Sequence, residues 1–303
     1  MTSTTPTARR AVLEGLVDYA GLFPPAGLPM AEAVANYAAY QRRADHWALG
    51  RFVVPVARLG EFEQAVAALG DAARLGARWP LTALLGADLA ADAEALAAFR
   101  ARHLHAGPEV LSLEGKAESP ARVRALAAQF GEGYEVFVEL PLGPDTSALM
   151  EAVLEAGLRA KVRMGGTTAA DFPAPDAVLR FLTSAARHLV AFKATAGLHH
   201  PVRRDAPLTY ATGSASTVMY GYLNLLAAAT TLWRGGTREE AERWLTLADA
   251  ADLRVGAAGL AWRGQRLGAE DLAATRREFF RSIGSCSFTE PLEEIRPFLE
   301  DPA

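Results

Sequence analysis

Lys116, Lys161 and Lys193 are the only lysines in this chain of 303 residues, so 28 of its 31 Lys plus Arg are arginines. An ordinary solvent-facing cation here is usually arginine, and the places that keep lysine are informative. The bland alternative is a coding bias that left three lysines anywhere. Each lies in a short apolar run: "PEVLSLEGK" (108 to 116), "LRAKVRMGG" (158 to 166) and "LVAFKATAG" (189 to 197). A lysine beside other cations in a low-dielectric site has a destabilised ammonium, so its pKa falls and its free amine can attack a carbonyl to form a Schiff base. Lys193, with Lys161 and Arg163 on the neighbouring run, fits that description. Glu139 in "YEVFVELPLG" (134 to 143) and Glu114 are the candidate proton carriers. Lys116, Arg163 and Thr195, with the backbone amides of "GGTT" (165 to 168), are candidates for holding an anionic substrate.

The runs that carry these residues recur in a regular order. "RFVVPVARL" (51 to 59), "PLTALLGAD" (80 to 88) and the four runs quoted above are each followed by a helix-length, alanine-rich segment, which makes six β-α units. Such alternation implies a parallel sheet with right-handed crossovers. No run is followed by a glycine-rich nucleotide fingerprint or a P-loop, so a closed (β/α)8 TIM-type barrel is favoured over an open nucleotide-binding sheet. Residues 7 to 20 and 29 to 44 read as helices of an N-terminal arm (1 to 48), broken by "GLFPPAGLP", with the barrel over 49 to 303 in a single domain. Beyond the sixth strand the pattern loosens. Helices are expected near 214 to 233 and 237 to 251, an irregular seventh unit around "LRVGAAGLAWRG" and an eighth strand at "SIGSCSF" (282 to 288).

Alternation along a strand sets the parity of side chains. Ser112, Glu114 and Lys116 share a face, as do Lys161 with Arg163 and Lys193 with Thr195, and Glu139 opposes Val136 and Val138. The apolar partners would pack under the outer helices, leaving the charged set in the lumen near the carboxyl ends of the strands, where such barrels build their sites. Two readings follow from that placement. The cluster is catalytic, or it is a salt-bridge layer of Glu114 and Glu139 against Lys116, Lys161, Arg163 and Lys193 that fills the barrel mouth.

The loop after Lys193 adds His199 and His200, one of which is expected to have a catalytic or substrate-binding role, the alternative being a solvated loop histidine. A metal held by His199 or His200 with Glu139 and Glu114 is the competing arrangement, weakened by the nearby cations and by the absence of an HxH or HxxxH spacing. Ser285 and Ser287, at the end of the expected eighth strand, are candidates for phosphate contacts. Cys286 reads as a buried, inert thiol, and Asp18 and Tyr19 as structural groups closing one barrel end.

"AFKATAGLHH" resembles the Schiff-base strand of deoxyribose-phosphate aldolases, in which an apolar residue precedes the lysine and a short Thr/Ser/Gly run follows it. That resemblance implies a class I aldolase-like lyase on a TIM barrel, with Lys193 as the imine-forming residue on the sixth strand. The family's second active lysine, on the seventh strand, has no counterpart here, and Lys161 would have to replace it. "DYAGLFPPA", "FKATAGLHHPVR" and "GSCSFTEP" together are also similar to a group of bacterial proteins.

Composition narrows the partners. A net charge of −4 and a pI near 5.9 argue against a general nucleic-acid surface. No apolar stretch is long enough for a membrane span or shaped like a signal peptide, and the single cysteine fits a reducing compartment, so a cytoplasmic protein is expected. The expected activity is that of a metal-independent lyase needing no cofactor and acting on a small anionic metabolite, a keto acid or sugar phosphate. A metal-dependent hydrolase or isomerase and a non-catalytic anion-binding barrel are the alternatives. The apolar helix near 214 to 233 is either core or the interface of a homo-oligomer.

Overall fold

The structure, a computed structural model, describes residues 8–70, 79–104 and 107–300. Eight parallel strands close a barrel: β1 (Val17–Tyr19), β2 (Leu49–Pro55), β3 (Trp79–Leu84), β4 (Pro108–Lys116), β5 (Glu135–Glu139), β6 (Arg159–Arg163), β7 (Phe192–Thr195) and β13 (Phe280–Ser285). They lie side by side in chain order, and β1 closes the ring by pairing with both β2 and β13. The (β/α)8 barrel expected from the alternation is therefore present.

Where helices cover the barrel, the outward-facing residues of the strands are apolar. Phe52 of β2 packs edge-on against Tyr37 of α2 (Met30–Tyr40) and meets Phe62 of α3 (Leu59–Ala68) at ring separations of 5.5 and 5.3 Å. Helix starts follow local chemistry. Asp88 accepts from the amides of Ala90 and Ala91 to begin α4 (Leu89–Arg102), while Ser119 followed by Pro120 begins α5 (Pro120–Phe130). In α7 (Pro175–Arg187) the buried residues Val178, Phe181, Leu182 and Ala185 recur at helical spacing, and Phe181 reaches Phe192 of β7 at 5.5 Å. Between α5 and α7 lies α6 (Ser147–Glu155).

Three expectations about organisation change. The helix read over 7 to 20 stops early: α1 is Ala8–Leu13, and after Gly15 at φ 55° the chain enters β1. A three-residue strand is too short to show a period of two, so the helical pattern upstream masked it. Consequently the N-terminal arm carries two helices and also the first barrel strand, and Lys193 lies on the seventh strand in chain order, not the sixth. The strand-number part of the aldolase resemblance falls with that count.

Between β7 and β13 the chain is irregular, as expected, but "LRVGAAGLAWRG" is not a barrel strand. It forms β10 (Arg254–Gly256) and β11 (Gly259–Trp262), which continue into β12 (Gln265–Gly268) as a separate antiparallel sheet. Before it come an antiparallel ribbon of β8 (Arg204–Pro207) and β9 (Ser216–Met219), then α8 (Tyr222–Trp233) and α9 (Arg238–Thr246). Residues 222 to 232 of α8 are all buried, packed among α7, α9 and α10 (Ala269–Glu278), so this helix is core of the single chain. The described residues end on α11 (Thr289–Ile295) and a short 3-10 turn. Among the described residues no helix is long and apolar enough to cross a membrane.

Candidate active site

The lumen contains a continuous chain of alternating charges. Asp18 on β1 accepts from Lys193 Nζ at 2.5 Å, and Lys193 also meets Glu114 Oε1 at 2.6 Å. The other oxygen of Glu114 takes Lys161 Nζ at 2.5 Å, and Lys161 continues to Glu139 Oε2 at 2.8 Å. Register explains the spacing: Lys161 stands beside Lys193 on β7 and beside Glu139 on β5, so the two ammonium groups are directly opposed and need a carboxylate between them. Glu114, from two strands away, supplies it.

Uncharged groups flank this chain on its amino-end side. Thr82 and Ser112 hydrogen-bond at 2.7 Å between β3 and β4, and the Phe137 ring lies 5.4 Å from Lys193 Nζ. Asp18 is held from its other sides as well. The Arg51 amide donates to Oδ1 and Ser282 Oγ to Oδ2, both at 2.8 Å.

These neighbours reverse one electrostatic expectation. Burial alone would pull Lys193 down, but Asp18 and Glu114 outweigh it and raise its pKa, so it rests as an ammonium rather than as a free amine depressed by Lys161. Glu114 shows the complementary effect. Burial pushes its carboxyl up, yet Lys161 and Lys193 overcome that and hold it at about 2. In Glu139 burial likewise works against Lys161, Arg163 and Lys116, and the cations win.

Lys193 is 1% exposed, at the bottom of the arrangement. Above it, at the carboxyl ends of the strands, opens a cavity of about 300 Å³ whose wall includes Glu114, Lys161, Arg163, Thr195, His199, Phe23 and Pro24. Lys161 is thus the ammonium that the cavity reaches, and Lys193 stands behind Glu114. Arg163 lies at the rim, 3.4 Å from Glu139 Oε1. Lys116 is mostly exposed, 3.9 Å from the same carboxylate, and does not share the lumen with the other two lysines. The "GGTT" donors are partly engaged, because the Thr168 amide and hydroxyl both bond Asp171. Gly284 of β13 also borders the cavity. A Cβ there would lie 2.7 Å from Thr195 Oγ1, so the absence of a side chain lets β7 and β13 approach.

The histidine loop is set by a tight turn. Ala196 and Gly197 both adopt positive φ, 63° and 66°, reversing the chain directly after β7. The amides of Tyr222 and Leu223, at the start of α8, then bond the carbonyls of His200 and Pro201, each at 3.0 Å. Asn224 completes the clamp by accepting from the Arg203 amide and donating to the Trp244 and Leu247 carbonyls.

The two rings diverge, as expected of neighbours on a loop. His199 faces the cavity near Ser285 Oγ at 3.4 Å and Cys286 Sγ at 3.8 Å. Burial, with His200 adding to it, lowers its pKa to about 4, so it is neutral at physiological pH. His200 instead bonds Glu294 at 2.8 Å.

A metal set of His199 or His200 with Glu139 and Glu114 does not form, because both glutamates are bound to lysines. The group whose ligand atoms do converge, within 4.8 Å, is His200, Glu290 and Glu294, where Arg204 lies 3.8 Å from Glu294. Ser285 and Ser287 are not in the cavity wall. Ser287 Oγ accepts from the Glu290 amide at 3.1 Å and so serves the start of α11, and Ser285 is buried beside His199. Cys286 is buried, with its thiol pushed up by that burial, although it touches the cavity edge.

Asp18 is the participant that sequence reasoning took for a structural group. A lone acid in an apolar "LVDY" stretch after a helix-breaking glycine was the available signal, and it pointed to this role only once β1 was recognised as a strand. No family model matches the chain, and no curated protein matches it either.

Proposed function

We propose that the protein is a metal-independent lyase that binds a small anionic carbonyl compound in the carboxyl-end cavity and joins it to a lysine as an imine. The observation that carries this reading is Lys161: an amine at the cavity wall, between two carboxylates at 2.5 and 2.8 Å, with a guanidinium at the rim. Lysine suits the task because, unlike arginine, it can give up its proton.

In this mechanism Lys161 loses a proton to Glu139, and its nitrogen adds to the substrate carbonyl carbon. The carbinolamine takes a proton back, loses water and becomes an iminium. Arg163 holds the substrate carboxylate. A carboxylate then removes the proton of the substrate's β-hydroxyl, the carbon–carbon bond breaks, and its electron pair moves into the enamine as an aldehyde leaves. Protonation of the enamine and hydrolysis of the imine return Lys161. Lys193 stays an ammonium throughout and fixes Glu114.

Borohydride reduction in the presence of pyruvate, other short 2-keto acids and sugar-phosphate aldehydes, followed by peptide mass spectrometry, tests the reading. The expected result is a reduced adduct on Lys161 that Lys161→Arg abolishes. An adduct on Lys193 would keep the chemistry and move the nucleophile, whereas no adduct on either lysine with any of these compounds would sink the proposal. The convergence of His200, Glu290 and Glu294 favours, as a second reading, a metal-dependent hydrolase or isomerase. Stoichiometric zinc or manganese in the purified protein, lost in His200→Ala, would support it.

A further inference from the structure

The amino end of the barrel carries a second charged cavity, of about 500 Å³, whose wall includes Arg10, Arg51, Arg276, Arg277 and Arg281. Glu14, Asp18 and Glu135 are the carboxylates of the same wall. Five guanidiniums against three carboxylates leave an excess of two positive charges, in a chain whose net charge is −4.

The distribution of partners makes the excess larger at the centre. Glu135 is shared by three arginines: Arg51 at 2.6 Å, Arg159 at 3.1 Å and Arg281 at 3.8 Å. Asp18 is already committed to Lys193 and Ser282, and Glu14 to Arg10 at 3.0 Å. Arg276 is buried and spends its donors on the carbonyls of Val12, Glu14, Phe280 and Arg281, which satisfies its hydrogen bonds and leaves its charge without a carboxylate contact. Arg277 is exposed, and among the described residues its guanidinium has no ion-pair partner.

Crowded guanidiniums in a partly dry recess repel one another, and Arg281 registers it. Burial pulls its pKa down, Glu135 opposes this, and Arg159 and Arg51 lower it further. Part of this cluster is structural, since Arg276 ties α1 to β13. Structure alone does not call for three arginines on one carboxylate at the edge of an open cavity. Guanidinium forks match the geometry of phosphate oxygens, and Leu49, Pro80 and Ala273 give the same cavity an apolar wall.

We propose that this amino-end cavity is a second ligand site, at the opposite end of the barrel from Lys161, for a small phosphate monoester. The phosphate dianion matches the excess of two charges, and the remaining volume accommodates a short carbon body. Glu135 acts as an internal competitor, holding the arginines together when no ligand is bound.

Isothermal titration at low salt and matched ionic strength, with glycerol 3-phosphate and inorganic phosphate as probes and chloride as control, tests the site. Saturable binding of glycerol 3-phosphate is expected. Arg277→Gln, at an exposed position where folding is not at stake, should weaken it about tenfold, the factor carried by a lost charge-assisted hydrogen bond. Glu135→Gln should strengthen it. The proposal is overturned if neither probe binds, or if binding ignores both substitutions. It is equally overturned if Arg163→Gln alone abolishes binding, which would put the anion at the carboxyl-end cavity. None of these outcomes depends on imine formation at Lys161.

Discussion

Glu114 is the residue on which the charge chain turns, because one carboxylate separates two ammonium groups that neighbouring strands hold side by side. Replacing it with glutamine removes the shared partner and leaves two buried cations facing each other. Glu114→Gln should therefore cost about 3–5 kcal/mol of stability at pH 7, read from urea denaturation. Its pH signature has a definite sign. Glu114 titrates at about 2 in the folded chain against an ordinary 4.5, so its contribution is fully present above about pH 4.5 and is lost as the pH falls toward 2. His199 acts over the adjoining window. The fold holds it neutral down to about 4 while the unfolded chain takes up a proton near 6.5, so stability also falls as the pH drops from 6.5 to 4. In acid denaturation followed by circular dichroism, His199→Gln should flatten the slope between pH 6.5 and 4, and Glu114→Gln the slope below 4.5. An unchanged profile in either variant would show that the fold does not hold that group in the state described. Parity along the strands was enough to place Glu114, Glu139, Lys161 and Lys193 together. It was silent on order, and so the expected depression of Lys193 by Lys161 missed the carboxylates that lie between and beside them.

At the scale of elements, the turn after β7 decides where the histidines go. Gly197 has a positive φ, and a Cβ there would fall 2.7 Å from the Phe172 ring and 3.1 Å from the Gly165 Cα. Gly197→Ala should lose roughly 1–3 kcal/mol through backbone strain and push the β6 and β7 loops apart, disturbing His199 more than the lysines, which sit within strands. A urea titration gives the first effect, and the ring chemical shifts of His199 and His200 the second. A stability within a few tenths of a kcal/mol of the parent would contradict the crowding. Elements were legible where the chain runs through enough residues to show its period, as in the 13 residues of α7, or where a short run is strongly apolar, as in β5. Short ones were not, and β1, with three residues, and β8 to β12, with three or four each, read as helix, loop or a single irregular unit.

For the whole molecule, closure through β1 ties stability to the site. A chain beginning at Leu49 would keep seven barrel strands, but β2 and β13 would lose the neighbour between them and Lys193 would lose Asp18. Such a truncation should show no cooperative thermal transition by calorimetry, while Asp18→Asn, which keeps the strand, should retain one at a lower temperature. A cooperative transition in the truncated chain would mean that residues 1 to 48 are an accessory arm after all.

What the sequence by itself determined is the barrel and the company of charges at its carboxyl end, because alternation and parity are local properties that survive without knowledge of long-range partners. The scarcity of lysine pointed to the same places. Only the tertiary structure decided that Asp18, 175 residues away from Lys193, completes the chain of ion pairs, that Lys161 rather than Lys193 meets the cavity, and that arginines crowd the other end. Those facts depend on which strands become neighbours when the ring closes and on how far each side chain reaches across the lumen. No spacing along the chain encodes either.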